Sequence, residues 1–533
     1  MRKLVALLCF CLLACVLAAP ATAQNPPGAL RAIPTADGYR LNAYVAIPAG
    51  NGPFPLVVMP SSWGLGLAEY VGIANRLAGR GYVVVSYASR GFGAGCALSA
   101  SCGAIDIAGP ATIADVSTVI DWALANTPSD AGAIGISGIS YGAGSSLLAA
   151  ERDPRIKAVA ALSGWASLVD SLYANRTPSA QGVALLSFAS YLGKPGPLMQ
   201  QVNQRVAALD FLGAVQAVLP DADVRSPAAG VDALNRHGAA VLLANAYEDS
   251  LFVPGQLVDF YNRLTVPKRL VFAHGDHATN EMFGALGLPN EVYDAVDDWF
   301  DRYLKGVDNG VDRQPPVQLK TQGGRWLAFA DWSAAQANAT TYALGDPRFD
   351  LFANPTTTGR LSTGSASTWN YAITGGYPTA AYSGLIFVSG ILTAWQAPPV
   401  ASLPLVSRAN AAVWSSAPLA RDATVAGMPS LHITVTPDTA QLSLYAYLYS
   451  VDAFGVGQLM SWKPYTFADA VPGVPRTIDL RLEATGWDVP AGHRLALVVG
   501  TVDLRYAGVT PPGSRAVFSS PVYSPSTLSV PLH

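Results

Sequence analysis

A five-residue motif, Gly138-Ile139-Ser140-Tyr141-Gly142, carries the most specific chemical signal in this sequence. It follows a short apolar run at residues 133–137 and precedes small residues that begin a helix. Strand, sharp turn and helix form the context of a nucleophile elbow, in which the flanking glycines let the backbone turn tightly. The helix N-terminus lies behind the Ser140 amide and can stabilise developing negative charge. The sequence therefore predicts Ser140 as a catalytic nucleophile.

A serine hydroxyl needs a base that accepts its proton, and few histidines are available. Four of the six precede a strand or fall in a later β-rich segment: His237, His432, His493 and His533. His274 and His277 remain, both on the loop after a strand ending at Phe272. We prefer His277, which lies further from the strand, and interpret His274 as a packing or supporting residue. No third ligand cluster accompanies this pair, so we expect neither a metal nor a cofactor.

The base needs a carboxylate that orients its ring, and the loop after the predicted strand 239–244 offers two. Glu248 and Asp249 are adjacent in this loop, and the residues alone do not choose between them. Asp276 directly precedes His277, a geometry poorly suited to orienting that ring, and we interpret it as loop structure.

Acyl transfer also needs two donors for the developing oxyanion. In this context one is the Tyr141 amide, and the second comes from the loop after the predicted strand 55–59. That loop reads Pro60-Ser61-Ser62-Trp63-Gly64, so the amide of Ser62 or Trp63 is the expected second donor. Trp63 could alternatively only cover the pocket wall.

The elements that must position these residues alternate between apolar strands and helices in the first half of the chain. Residues 55–59 and 82–87 are continuous apolar runs, the pattern of strands buried on both faces of a parallel sheet. The pattern resumes at 239–244 and closes with an amphipathic helix at 291–304. This alternation predicts an α/β fold, with a mostly parallel sheet covered by helices on both faces.

Two departures from that alternation divide the chain. Residues from about 165 to 235 contain helical runs without a convincing strand, which predicts a cap inserted above the sheet. After residue 316 the composition changes to short alternating runs separated by turn residues, which predicts a second, all-β domain of jelly-roll type. We therefore expect a catalytic domain at 24–315 and a β-sandwich domain at 316–533.

The N-terminus resembles a secretory leader. A basic start at Arg2 and Lys3 is followed by an apolar run and the small residues Ala21-Thr22-Ala23. This order predicts a signal peptide over residues 1–23 and an exported protein, periplasmic or secreted. Alternatively, Leu12-Leu13-Ala14-Cys15 is a lipobox that would leave Cys15 lipidated. No later apolar run is long enough to span a membrane.

Composition narrows the remaining choices. Half of the 533 residues are hydrophobic and the formal net charge is −3, so the chain can bury large cores and nothing favours nucleic acid as a partner. Outside the leader, Cys96 and Cys102 are the remaining cysteines. In an oxidising compartment we expect them to form a disulfide that closes a short loop; two buried free thiols are the alternative.

Taken together, these motifs resemble the X-Pro dipeptidyl-peptidase and cocaine-esterase-like hydrolases over essentially the whole chain after the leader. The resemblance rests on these segments: Gly135–Gly142, Asp153–Ala158, Trp165, Asp170–Tyr173, Tyr247–Phe252, Trp299–Gly306 and Pro490–Leu497. It implies an α/β-hydrolase domain with a helical cap, a C-terminal jelly roll, and Ser140, Asp249 and His277 as the triad. Several relatives carry an oxyanion-hole tyrosine in a Pro-Tyr motif, whereas here the loop reads Ser61-Ser62-Trp63.

The resemblance leaves the substrate, a small molecule or a peptide, open between two kinds of hydrolysis. Dipeptidyl-peptidase activity is the family-implied function, and a carboxylesterase or amidase is the alternative. A dipeptidyl peptidase must anchor a free α-amine, which calls for carboxylates in the cap. The candidate anchors are Asp170, Asp210, Asp221 and Asp223. A hypothesis of another class is an inert surface or carbohydrate-binding protein, against which the intact set of nucleophile, base and acid argues.

Overall fold

A computed structural model describes residues 28–93, 96, 102–352 and 354–533 of the chain. Ten strands form the first sheet: β1 (Ala29–Pro34), β2 (Arg40–Ala46), β3 (Phe54–Pro60), β4 (Val83–Tyr87), β5 (Ser129–Ile139), β6 (Ile156–Leu162), β7 (Ala240–Ala246), β8 (Lys268–Ala273), β9 (Val317–Lys320) and β10 (Trp326–Phe329). Their order is β1-β2-β4-β3-β5-β6-β7-β8-β9-β10. Neighbours from β4 to β9 pair in parallel, and β1, β2 and β10 add antiparallel edges.

Helices cover both faces of this sheet, as the continuous apolar strands predict. They are α1 (Val71–Gly79), α2 (Pro110–Asn126), α3 (Tyr141–Arg152), α8 (Pro227–His237), α9 (Pro254–Arg263), α10 (Met282–Ala285) and α11 (Glu291–Lys305). Alternate residues of β3 face opposite sides, because successive side chains of a strand point to opposite faces. Leu56 and Val58 join the core beneath α2, α3, α8 and α9, while Val57 and Met59 join the core beneath α1 and α11.

Between β6 and α8 the chain leaves the sheet and forms a helical cap. Its helices are α4 (Leu168–Leu172), α5 (Ala180–Ser190), α6 (Pro197–Ala207) and α7 (Phe211–Gln216). Met199, Val202 and Ala214 belong to a small apolar cluster of its own within the cap. The insertion therefore lies where the loss of strand periodicity predicts it, except that α8 returns to pack on α3 against the sheet.

In the part of the second domain that the structure describes, strands predominate and two short α-helices accompany them. Its strands are β11 (Ala339–Leu344), β12 (Gly359–Ser362), β13 (Trp369–Thr374), β14 (Val400–Ser402), β15 (Ala411–Ser416), β16 (Ala423–Gly427), β17 (Ser430–Pro437), β18 (Leu442–Val451), β19 (Val456–Phe467), β20 (Arg476–Arg481), β21 (Thr485–Val489), β22 (Arg494–Gly500), β23 (Arg515–Ser520) and β24 (Thr527–Pro531). The helices are α12 (Trp332–Gln336) and α13 (Val388–Ala394). Leu431, Leu444 and Phe518 share one sandwich core. The predicted α/β-hydrolase fold followed by a β-rich domain is confirmed.

Two strands that follow residue 316, β9 and β10, belong to the first sheet. Residues 317–329 were expected to open the β domain, but β9 pairs in parallel with β8 and β10 completes the first sheet. The reason is physical, because strands at the edge of a sheet are half-exposed and alternate apolar with polar residues, as sandwich strands do. Val317–Lys320 lies next to the edge strand β10 and alternates buried with half-buried positions in this way.

The loop after β4 carries the predicted disulfide. Cys96 and Cys102 are bonded, with their Cα atoms 5.3 Å apart, and both are buried. The predicted leader, its cleavage site and Cys15 lie outside the described residues. In the parts of the chain that the structure describes, no helix is both long and apolar enough to cross a bilayer.

Candidate active site

Ser140 occupies a strained turn between β5 and α3. Its backbone has φ 57° and ψ −115°, a conformation that non-glycine residues rarely adopt. A Cβ at Gly138 would lie 2.6 Å from the carbonyl carbon of Gly142, and one at Gly142 would lie 2.1 Å from the carbonyl oxygen of Pro60. Only glycine therefore fits at positions 138 and 142, two residues before and after Ser140. The turn projects the Ser140 Oγ from the end of the sheet.

His277 lies four residues beyond β8 and reaches Ser140. Nε2 of His277 and Oγ of Ser140 are 2.8 Å apart. On the other side of the ring, Nδ1 lies 3.0 Å from Oδ2 of Asp249. Burial alone would lower the pKa of His277, but the charge and hydrogen bond of Asp249 outweigh burial and raise the pKa above 6.5. The ring is thus placed and tuned to accept a proton from Ser140.

Asp249 is fully buried on the loop after β7. Its Oδ1 accepts hydrogen bonds from the amides of Leu251 at 2.9 Å and Phe252 at 2.7 Å. These amides hold the carboxylate in one orientation, with Oδ2 directed at His277. His277 is therefore within hydrogen-bond distance of both Ser140 and Asp249, the three residues that the resemblance implies as a triad.

Glu248, the other candidate acid, pairs with the other histidine. Nδ1 of His274 lies 2.7 Å from Oε1 of Glu248, and Nε2 lies 2.8 Å from the carbonyl oxygen of Gly486 in the β domain. Both oxygens can accept from a ring N–H, so the two contacts favour the imidazolium form of His274. Burial opposes this charge, and Glu248 outweighs burial to raise the pKa of His274. This pair ties the two domains together beside the site.

Asp276 organises the base loop. Its Oδ1 accepts from the amides of Ser250 at 2.9 Å and His277 at 2.8 Å. It therefore connects the loops that carry the acid and the base. Burial raises the pKa of Asp276 to about 6.

The two candidates for the second oxyanion donor differ in their partners. The Ser62 amide donates to Oε2 of Glu69 at 2.8 Å, and the Ser62 hydroxyl lies between Glu69 and the carbonyl of Ile139. Of the two expected donors, the Ser62 amide already has an acceptor. Among the described residues the Trp63 amide has no such partner. The Tyr141 amide is the first of α3, where helical amides have no partner within the helix.

A cavity opens beside Ser140 and extends under the cap, with about 810 Å³ of empty space when the solvent at its mouth is included. Near Ser140 its walls are aromatic and apolar: Trp63, Ile107, Tyr141, Trp165 and Phe252. Further away they are cap residues: Leu168, Val169, Leu172, Val183, Leu186, Ser187, Met199, Val202, Ala214, Val215, Val218, Leu219 and Ala222. No charged side chain belongs to this wall among the described residues.

The four carboxylates considered as amine anchors lie away from this cavity wall. Asp170 and Asp223 are exposed. Asp210 caps α7 by accepting from the amide of Gly213 and pairs with Arg205 at 3.0 Å. Asp221 is exposed and lies 3.8 Å from Arg225. Capping and solvation therefore account for these four side chains.

Two buried residues near the triad escaped the sequence reasoning. Glu281 is fully buried, accepts from the Ser163 hydroxyl at 3.0 Å, and has its pKa raised to about 7 by burial. Arg505 comes from the β domain and donates to the carbonyl of Asp249 at 3.1 Å. No local pattern marks either residue. A charged residue in a loop is ordinarily solvated, and only the folded chain brings these two here.

Comparison with known proteins agrees with this architecture. The sequence profile of the X-Pro dipeptidyl-peptidase S15 family matches residues 37–279, and that of the X-Pro dipeptidyl-peptidase C-terminal non-catalytic domain matches residues 309–518. A relative from Streptomyces avermitilis, named after the Xaa-Pro dipeptidyl-peptidases, is 25% identical over 265 residues. The match covers 39% of this chain and 35% of that relative, about a third of its length.

Solved structures share the fold along almost the whole chain. A CocE/NonD family hydrolase from Staphylococcus aureus has a TM-score of 0.71 at 14% identity and covers 95% of this chain and 93% of its own. An α-amino acid ester hydrolase has a TM-score of 0.70 at 17% identity, covering 97% and 98%. At such identities the likeness concerns the fold alone. With the two profiles spanning both domains, the chain belongs to the X-Pro dipeptidyl-peptidase-like family of serine hydrolases.

Proposed function

We propose that this serine hydrolase cleaves esters of apolar carboxylic acids, with Ser140 as nucleophile, His277 as general base and acid, and Asp249 as the orienting carboxylate. The observation that carries the proposal is the placement of Ser140 Oγ between the His277 ring and an apolar cavity. A nucleophile at the mouth of such a cavity acts on an acyl group that the cavity can hold.

The chemistry follows from the hydrogen bonds of the site. Ser140 Oγ attacks the ester carbonyl while His277 Nε2 takes its proton, and the Nδ1–H of the resulting imidazolium remains bonded to Asp249. The proton then passes to the leaving alkoxide, and an acyl-enzyme on Ser140 remains. Water attacks this acyl-enzyme, delivering a proton to Nε2, and collapse of the second tetrahedral intermediate returns that proton to Ser140 and releases the acid.

The oxyanion of each tetrahedral intermediate requires two donors. We assign these to the amides of Tyr141 and Trp63. Glu69 supports this arrangement, because its hydrogen bonds to Ser62 fix the loop immediately before Trp63. The ring of Trp63 also packs edge-on against Tyr141, with the ring centroids 5.1 Å apart. The packing that builds the cavity wall therefore also joins the two residues to which these amides belong.

The absence of charge in the cavity wall favours an ester over an X-Pro dipeptide. A dipeptidyl peptidase must bind an ammonium group next to the nucleophile, and an unpaired charge in an apolar cavity costs several kcal/mol. None of the described residues that line this cavity has a carboxylate. An apolar acyl chain gains about 0.8 kcal/mol for each methylene it buries there. The uncharged wall therefore supports the carboxylesterase hypothesis more than the dipeptidyl-peptidase hypothesis.

The intact geometry also argues against an inert binding protein. A binding module has no need to hold a serine in a strained turn at hydrogen-bond distance from a buried histidine and carboxylate. We further propose that the chain is exported, with residues 1–23 removed. The disulfide between Cys96 and Cys102 supports export, since such bonds persist in oxidising compartments.

A substrate comparison tests the proposed function. The purified protein is assayed with p-nitrophenyl acetate, butyrate and octanoate, with glycyl-prolyl p-nitroanilide, and with the methyl ester of phenylglycine, which carries a free α-amine. We expect kcat/KM to rise from acetate to octanoate and to be at least about a hundredfold lower for both amine-bearing substrates. Rapid cleavage of the glycyl-prolyl anilide with slow cleavage of all simple esters would instead establish a dipeptidyl peptidase.

A further inference from the structure

The β domain contacts the catalytic loops with a buried cation. Nη2 of Arg505 donates a hydrogen bond to the main-chain carbonyl of Asp249 at 3.1 Å. The Arg505 side chain crosses from the loop after β22 into the catalytic domain, and the residue is only 4% exposed. Its partner is the backbone of the residue whose carboxylate lies 3.0 Å from His277.

Arg505 is itself rigidly held. Its guanidinium stacks over the ring of Trp462, 4.8 Å from the centroid. Its amide donates to Oδ1 of Asp503 at 2.8 Å, and Oδ2 of Asp503 accepts from the hydroxyl of Tyr447 at 2.7 Å. Its carbonyl accepts from the amide of Gln181, the second residue of cap helix α5. The side chain therefore reaches Asp249 from a fixed platform that also touches the cap.

No described carboxylate lies within 4.0 Å of the Arg505 guanidinium, so this buried cation has no direct ion pair. Burying an unpaired charge costs several kcal/mol, which a role in packing alone does not require. The neighbouring carboxylates explain the charge. Asp249, Asp276 and Glu281 are all buried around His277, and they repel one another. Arg505 opposes that repulsion, since its charge lowers the pKa of Asp276 against the effect of burial.

We propose that Arg505 is a positioning residue for the catalytic acid, so that the β domain forms part of the catalytic machinery. Its hydrogen bond fixes the Asp249 backbone so that the carboxylate stays aligned with His277. Its positive charge reduces the repulsion among the carboxylates that surround the base. This inference rests on the proposed triad of Ser140, His277 and Asp249. The inference goes beyond that triad because it assigns a role in catalysis to the second domain.

Another interdomain contact provides a matched control. Arg481 of β20 pairs with Asp259 of α9, and both side chains are about half exposed. This pair also joins the two domains, but it touches neither catalytic loop. Exposed ion pairs contribute ~0 to 1 kcal/mol, so removing Arg481 tests the effect of losing an interdomain arginine without disturbing the site.

The experiment compares Arg505→Gln, Arg505→Lys and Arg481→Ala with the wild type in the full chain, using p-nitrophenyl butyrate. Rates are expressed per site labelled by a fluorophosphonate, so that any misfolded fraction is not counted. We expect Arg505→Gln to lower kcat about a hundredfold with little change in KM, the effect of a small displacement of a catalytic group. Arg505→Lys keeps the charge without the planar fork and is expected to lose about tenfold.

The pH profile separates positioning from a general loss of stability. Removing the positive charge makes the imidazolium of His277 more favourable next to Asp249, Asp276 and Glu281. We therefore expect the acid limb of kcat/KM to move to higher pH in Arg505→Gln, but not in Arg505→Lys or Arg481→Ala. A purely structural role would lower the unfolding temperature without moving this limb.

Failure of the proposed role of Arg505 and failure of the proposed triad give different results. Wild-type kcat and an unmoved acid limb in folded Arg505→Gln would overturn the role of Arg505 while leaving the triad intact. Should Arg505→Gln not fold, Arg505→Lys decides alone: a loss of about tenfold in kcat at constant KM supports the inference, and wild-type kcat overturns it. Full activity of Ser140→Ala would instead overturn the proposed function itself.

Discussion

Oδ2 of Asp249 lies 3.0 Å from Nδ1 of His277, while the adjacent Glu248 is directed at a different histidine, His274, at 2.7 Å. Two neighbouring carboxylates on one loop thus serve two separate rings. One of these rings contacts Ser140, and the other bonds to the carbonyl of Gly486 in the β domain. Because His277 contacts both Ser140 and Asp249, we expect Asp249, and not Glu248, to matter for catalysis.

Asp249→Asn tests this division of roles. The amide keeps the shape of the side chain but no longer enforces the tautomer in which His277 accepts a proton from Ser140, so we expect kcat to fall by about 10³- to 10⁴-fold. Glu248→Gln is the matched control on the same loop and is expected to reduce kcat by less than about tenfold. Steady-state kinetics of both variants check the prediction, and the reverse order of the two losses would assign the acid to Glu248.

The pH dependence of hydrolysis reports the ionisation of the base. His277 must be neutral to accept a proton, and Asp249 raises its pKa above 6.5 against the effect of burial. We therefore expect kcat/KM to increase with pH through a single ionisation that lies above 6.5. In Asp249→Asn the residual activity should show this ionisation at lower pH, because the carboxylate that favours the imidazolium is gone. An acid limb that is unchanged in this variant would contradict the pairing.

The cap should limit the size of the acyl group. Ala214 of α7 is buried in the cavity wall, and a larger side chain there would fill space that a long acyl chain needs. We expect Ala214→Phe to reduce kcat/KM for p-nitrophenyl octanoate by at least about tenfold while leaving acetate within about twofold, since several methylenes lose their burial. Gln216→Phe, on an exposed position of the same helix, is the control. Equal losses for both esters would show that the cavity does not hold the acyl group.

Glu151 provides a test of stability away from the site. It is 9% exposed, its Oε1 has no hydrogen-bond partner among the described residues, and burial raises its pKa from 4.5 to about 8. The folded state therefore binds more protons than the unfolded state between these values, and stability is lost as pH rises through this range.

For this reason Glu151→Gln should stabilise the protein at pH about 8, where the wild type ionises, and change stability little near pH 4.5. The expected gain is ~1 to 3 kcal/mol, because Gln avoids the cost of ionising a buried carboxyl. Thermal unfolding of the two proteins at both pH values measures it. A lower unfolding temperature of Glu151→Gln at pH about 8 would contradict this, because it would show that ionised Glu151 makes a favourable interaction.

Much of the fold is predictable from the sequence because burial on both faces makes the strands of a parallel sheet continuously apolar, as in β3, β4 and β7. The last two strands of the sheet, β9 and β10, resemble strands of the β domain for the converse reason, since their half-exposed positions give the alternation of a sandwich strand. Local periodicity reports how many faces of a strand are buried, not which sheet the strand joins.

Some residues of the candidate site are also predictable from the sequence, and others are not. Ser140 and its glycines are predictable because the turn is local and sterically demanding. The choice of Asp249 over Glu248 depends on side-chain direction, and the occupied Ser62 amide depends on Glu69 seven residues later. Arg505 contacts a residue 256 positions away. Such a contact is set by the packing of two domains, so no motif indicates it.

The central claim is that Ser140 attacks the substrate, and stoichiometric labelling tests it most directly. The protein is treated with a fluorophosphonate, residual esterase activity is followed, and the modified peptide is identified by mass spectrometry. The account predicts one label per chain, on the peptide that contains Ser140, with activity lost in proportion and neither label nor activity in Ser140→Ala. Labelling of a different residue, or esterase activity that survives in Ser140→Ala, would contradict it.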